Sequence, residues 1–216
     1  MYFLHGLPAG GQAYRSISGL ADTLAANHLK AILVGAQGAR DGDTDPEWHD
    51  WGPGRNWETA TARELVARVD ARYRTLARRS GRAIVGVSAG GYGAALIGIH
   101  HPRTYRVIES WSGYFFATDP DGNPLHLGPD ADAHFAVPAL KGAFKHYPKT
   151  FFGFFIGSDD PYPGFVEDNR RLSRELTQAG VPHRFRIYKG AHSQAFWNRH
   201  DDEWLTAAVE RLDPAS

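Results

Sequence analysis

The sequence predicts an α/β fold with a mostly parallel central sheet and helices on both faces. Two observations predict it. Short apolar runs alternate with stretches of helical periodicity along most of the chain. Glycine and proline fall at the ends of these segments, at Gly35, Pro102, Gly180 and Pro182. Strands that alternate with helices pair in parallel and are buried on both faces.

Taken in order, Tyr2 to Leu4 reads as a short buried strand closed by His5-Gly6. Ala31 to Val34 reads as a second, closed by Gly35. Thr59 to Arg79 reads as a helix with Leu65, Val69, Tyr73 and Leu76 on one face. Ala83 to Val87 is a third strand, followed by a small-residue helix from Ala89 to His100 that stops before Pro102. Val107 to Trp111 and Phe151 to Ile156 are the fourth and fifth strands. Glu167 to Ala179 is a helix, and Arg184 to Tyr188 is the sixth strand. Trp197 to Leu212 closes the chain as a helix with Trp204, Leu205, Ala208 and Leu212 on its apolar side. Two long stretches, 38–58 and 113–149, break the alternation and read as loops, which at this length often carry function. No repeat or linker divides the chain, so residues 1–216 are expected to form one catalytic domain.

Composition narrows the function. There are 24 Lys plus Arg against 24 Asp plus Glu, a balance that argues against nucleic acid or an anionic membrane as the main partner. There is no cysteine, which removes disulfides, thiol nucleophiles and thiolate metal sites. No apolar run approaches the roughly 20 residues of a membrane span. The segment Met1 to Gly6 lacks the basic start and apolar stretch of a signal peptide. A cytoplasmic chain is the default expectation, with a secreted or envelope protein the alternative if a leading segment has been removed.

The strongest local signal is Gly86-Val87-Ser88-Ala89-Gly90, followed by Gly91-Tyr92-Gly93-Ala94-Ala95. It stands after a buried strand and before a helix, where a nucleophile elbow must stand. The sharp turn needs small neighbours because strand and helix crowd each other there. It exposes the Ser88 hydroxyl beside a helix N-terminus, whose N–H groups can stabilise an oxyanion. A serine hydroxyl needs a base beside it. His192 follows the sixth strand, in the position and chain order that such a base takes, whereas His183 precedes that strand and His200 lies in the closing helix. These two read as surface residues. The acid is expected after the fifth strand, where Gly157-Ser158-Asp159-Asp160 stands. Its spacing from the glycine selects Asp160, with Asp159 as the alternative. The oxyanion donors are the backbone N–H groups of Ala89 and Leu7.

With these residues in view, the chain resembles the esterase D-like family of α/β hydrolases. That family includes feruloyl and acetyl esterases, formylglutathione hydrolases and mycolyltransferases. The matching pieces are His5-Gly6-Leu7, Gly86 to Ala94, Trp111 to Tyr114, Gly157 to Asp160, Asn169, and Gly190 to His192 with Trp197. The resemblance implies an α/β-hydrolase fold and ester or thioester hydrolysis without a cofactor or metal. Acyl transfer of the mycolyltransferase type, using the same three residues, is the alternative; a hydrolase-fold binding protein without activity is another. Family members usually carry two more strands before the His-Gly segment, so a sheet lacking both is expected. The strand at Ile32 to Val34 would then be an exposed apolar edge, which homodimerisation would cover.

Other features have two readings each. Tyr92, Trp51 and Trp57 are candidates for binding substrate, and Trp48 belongs with them, although tryptophans also pin long loops. Phe115 and Phe116 are either part of a lid or a loop anchor. Asp41, Asp43 and Asp45, and again Asp119, Asp121 and Asn123, mimic the start of a calcium loop. Proline replaces the required glycine in both, so they read as turns. His100-His101 reads as a helix end.

Overall fold

The computed structural model describes residues 1–39, 48–116 and 135–213. Both calcium-loop look-alikes lie outside them. Among the described residues six strands form one all-parallel sheet in the order β2-β1-β3-β4-β5-β6. They are β1 (Tyr2–Leu4), β2 (Val34–Gly35), β3 (Ala83–Val87), β4 (Val107–Trp111), β5 (Phe151–Gly157) and β6 (His183–Tyr188).

Alternate residues of each strand enter two separate cores. Tyr2, Leu4, Ile84, Ile108, Phe152, Phe154 and Ile156 face one, with α3 (Val66–Arg72), α4 (Ala89–His100), α5 (Val137–Phe144) and α6 (Phe165–Ala179) packed over them. Phe3, Val85, Val107, Trp111 and Phe155 face the other, beneath α1 (Ser18–Ala26) and α8 (Asp201–Glu210). Burial on both faces is why the strands are apolar throughout. Each fully buried phenylalanine of β5 contributes about 1.5–3 kcal/mol by leaving water.

The strand order reverses beside β1. The chain leaves β1 for β2 on one side, then crosses back to β3 on the other. The carboxyl ends of β1 and β3 therefore flank a crevice, where ligands bind in open parallel sheets. At the other margin β2 is the edge strand, paired only through Tyr2 with Val34 and Phe3 with Gly35, and Ile32 beside it is exposed.

Several helices differ from their sequence expectation. The helix expected to run to Arg79 begins as α2 (Trp57–Thr59), passes through a π-helical segment (Ala60–Leu65) and ends with α3 at Arg72. The π segment adds residues to the turn. Val69 keeps its place on the apolar face, but Tyr73 stands past the end of α3 in extended backbone and is 51% exposed. The closing helix is broken into α7 (Gln194–Trp197) and α8. Asp201, Asp202 and Glu203 supply the acidic first turn that favours a new N-terminus there. Two helices, α1 and α5, stand where none was expected. Glycine caps α6 at both ends, with φ of 85° at Gly164 and 73° at Gly180.

Candidate active site

Ser88 sits at the tip of the β3–α4 turn with φ 57° and ψ −125°. Its N–H donates to the Trp111 carbonyl at 2.8 Å, which ties the strained turn to β4. The glycines are required sterically. A Cβ on Gly86 would overlap the Gly90 carbonyl, and one on Gly90 would overlap the carbonyls of Leu4 and His5. A Cβ on Gly6 would stand 2.9 Å from that of Ser88, so the loop after β1 runs against the serine. The first N–H groups of α4, Ala89 included, have no partner inside the helix.

His192 lies in the loop after β6. Its Nε2 is 2.8 Å from Ser88 Oγ and its Nδ1 is 2.8 Å from Asp160 Oδ2. The Asp160 side chain is fully shielded and that of His192 is 8% exposed. The second carboxylate oxygen of Asp160 accepts the N–H of Tyr162 at 3.1 Å. Asp159 points elsewhere: its carboxylate meets Lys189 Nζ at 2.8 Å, and that hydrogen bond holds it below the usual carboxylate range. Three aromatic rings surround the imidazole. Tyr162 and Trp197 stand nearly perpendicular to it at 5.0 and 5.1 Å between centroids, and Phe165 lies at 6.3 Å.

His5 is buried, and burial lowers its pKa. Its Nε2 accepts the N–H of Gly38 at 3.1 Å and its ring packs on Trp48. The side chain therefore ties Gly38 and Trp48 to the end of β1.

The substrate-binding candidates separate. Tyr92 is fully buried, stacked on Tyr114, with its hydroxyl 3.0 Å from His49 Nε2. It supports the site from beneath and does not line it. The small residues around it let α4 press against the sheet, which draws Tyr92 inward. Trp48 is also buried, with φ 63°, and packs over Gly38 and Gly93, so it pins its loop to the core. Trp51 and Trp57 are half-buried, and Trp51 meets the ring of His49 edge-on. Phe115 is an anchor: Asp168 accepts its N–H at 2.5 Å and Arg171 donates to its carbonyl at 3.1 Å. Asn169 donates to the Gly113 carbonyl at 2.7 Å. Phe116 is half-buried against Phe165.

Other histidines make contacts of their own, and His100 and His101 stand at the end of α4, as the sequence indicates. His200 is half-buried, with its ring stacked on Tyr188 at 3.9 Å. His183 meets Ser173 Oγ at 3.0 Å and stacks on Phe154. His100 and His101 both bond one oxygen of Glu58, at 2.8 and 2.9 Å. Burial pushes Glu58 upward in pKa, but the two imidazoles more than reverse this and hold it at about 2. That partner stands over forty positions away in sequence, beyond any local pattern. Sequence reasoning missed Tyr162 and Phe165, although Tyr162 stands only two residues after Asp160.

Among the described residues no group of three or more His, Cys, Asp or Glu side chains is arranged to hold a metal ion. Among them, too, no helix is long and apolar enough to cross a membrane.

The family described as "Putative esterase" matches residues 1–151. The chain belongs to this esterase family of α/β hydrolases. Esterase Rv1288 of Mycobacterium tuberculosis strain H37Rv is 36% identical to it over 249 residues, covering 100% of the chain and 53% of that relative. The chain thus spans about half the length of the curated relatives it matches. Among solved structures, a ferulic acid esterase superposes with a TM-score of 0.76 at 22% identity, over 98% of this chain and 84% of the other. An S-formylglutathione hydrolase from Agrobacterium tumefaciens gives 0.73 at 19% identity, over 98% and 83%. These likenesses show the α/β-hydrolase fold. The matched family region contains Ser88 and the loop after β1, while Asp160 and His192 lie beyond it.

Proposed function

We propose that this member of the esterase family is a serine esterase that hydrolyses carboxylic esters and thioesters through an acyl-enzyme. One observation carries the reading: Ser88, His192 and Asp160 form an unbroken hydrogen-bonded series, 2.8 Å at each link, at the carboxyl ends of the strands.

In this reading Ser88 Oγ attacks the ester carbonyl carbon as its proton passes to Nε2 of His192. Asp160 holds the imidazole with Nδ1 protonated and stabilises the imidazolium that forms. The carbonyl oxygen becomes an oxyanion and accepts the N–H groups of Leu7 and Ala89, where one donor is worth about 10²–10³ in rate. Collapse of the tetrahedral intermediate breaks the bond to the alcohol or thiol, which leaves with the proton from His192. Water then attacks the acyl-enzyme, gives a proton to His192, and releases the carboxylic acid and free Ser88. Trp51 and Trp57 are the rings assigned to the apolar part of the substrate. Trp51 packs on His49, whose partner Tyr92 lies one helical turn after Ser88.

The test is reaction with a fluorophosphonate probe, read by intact mass. A single adduct is expected on the wild type and none on Ser88→Ala. Folded wild type that takes no adduct would overturn the reading.

A further inference from the structure

Two neighbouring strands end in the same unusual way. The ladder pairs Val87 with Trp111, and the next residue of each strand is a serine in the left-handed region, with φ 57° at Ser88 and 48° at Ser112. At Ser88 the strain presents a hydroxyl to His192. Ser112 is fully buried, so presenting its hydroxyl to a substrate is not its purpose. Its N–H donates to the Phe155 carbonyl at 2.7 Å. Its Oγ accepts the indole N–H of Trp197 at 2.9 Å. A glycine would adopt this backbone without strain, but only a side-chain oxygen gives the indole its acceptor.

Trp197 in turn faces the base. Its ring stands at 84° to the imidazole of His192, 5.1 Å between centroids. A pocket of about 30 Å³, lined by Phe3, Val87 and Trp111 together with polar Ser16, Gln194 and Asn198, lies beside it. The indole packs against the second core, and the hydrogen bond to Ser112 sets its orientation there. Tyr162, the other perpendicular neighbour of His192, is 45% exposed and is the looser of the two.

We propose that Trp197, held by the Ser112 hydroxyl, is a positioning residue for His192. It fixes the plane of the imidazole so that Nδ1 stays on Asp160 while Nε2 stays on Ser88. The inference rests on His192 being the general base of the proposed esterase. Its effect is on geometry: a displacement of about 1 Å at a reacting group can cost about 10² in rate.

The test uses Trp197→Phe, which keeps a ring and loses the N–H, Ser112→Ala, which keeps Cβ and loses the acceptor, and the double variant. Hydrolysis of p-nitrophenyl acetate is measured per site titrated with a fluorophosphonate, alongside NMR spectra of the His192 ring in ¹⁵N-histidine-labelled protein. Each single variant is expected to lower kcat about tenfold with KM within about twofold. The double variant should be no slower than the worse single, because the two residues act as one unit. The Hδ1 resonance of His192 should shift or broaden in both singles. Unchanged kcat per titrated site in both singles would overturn the proposal, as would a double variant whose loss is the product of the two. Where one variant fails to fold, the other carries the test. Should the wild type take no adduct at all, the esterase reading fails separately, and the NMR arm still decides: an unchanged His192 ring in Trp197→Phe overturns the positioning role.

Discussion

Asp160 and Glu109 are both carboxylates shut off from water on the same sheet, and their surroundings are opposite. Asp160 stands just past the end of β5, where the chain turns. One oxygen meets His192 and the other accepts a backbone N–H from Tyr162. Glu109 stands in the middle of β4, between β3 and β5, where the ladder uses the backbone groups around it. One of its oxygens accepts the Trp111 indole N–H at 3.1 Å, and the other has no partner among the described residues. The arginines that influence it pack on rings instead, Arg184 over Trp204 and Arg211 over Phe151. Burial pushes the Glu109 pKa up to about 8. The difference teaches where this fold can keep a buried charge. Loops at strand ends can turn N–H groups and imidazoles toward a carboxylate; the interior of a parallel sheet cannot.

The largest effect should come from breaking the partnered case. Asp160→Asn keeps the shape but removes the charge and favours the wrong imidazole tautomer, so kcat for ester hydrolysis should fall about 10⁴-fold. A loss of less than about tenfold would mean that the acid lies elsewhere.

The unpartnered case should respond to pH. Folded Glu109 keeps its proton up to about pH 8, whereas the unfolded chain releases it from about 4.5. Its contribution to stability is therefore fully present below about pH 4.5 and lost as pH rises through about 8. Between those values the slope approaches about 1.4 kcal/mol per pH unit. Glu109→Gln cannot ionise, so it should be the more stable protein above pH 8 and lose this slope. Denaturant unfolding of both proteins from pH 5 to 9 measures it; parallel curves would show that Glu109 is charged in the fold.

The smallest effect should come from Asp159→Asn. This residue is exposed and tied to Lys189, so kcat is expected to change less than about twofold. A collapse comparable with that of Asp160→Asn would reverse the assignment of the two aspartates.

Much of the fold was legible because burial on two faces leaves a local mark. Phe151 to Ile156 and Ala83 to Val87 are apolar throughout, and no amphipathic helix reads that way. The elbow was legible because its steric demands fall on adjacent residues, Gly86 and Gly90. The misses have physical causes too. Helix α1 carries only Leu20 and Leu24 as buried anchors, and α5 lies within a stretch dominated by loop-forming residues. Helix α3 ends at Arg72, so Tyr73 and Leu76 fall beyond the helix on which they were read.

The sequence by itself determined the strands other than β2, of which only Val34 lies in the expected run, the strained serine turn and the chain order of Ser88, Asp160 and His192, because each is written in neighbouring residues. Only the tertiary structure decided that β1 lies beside β3, which brings Gly6 against Ser88. It also decided that Asp160 and not Asp159 meets His192, that Trp48 and Tyr92 turn inward, and that Ser112 reaches Trp197 across 85 positions. These depend on strand order and on which way adjacent side chains point once the sheet is built, and no local pattern of residue types encodes either.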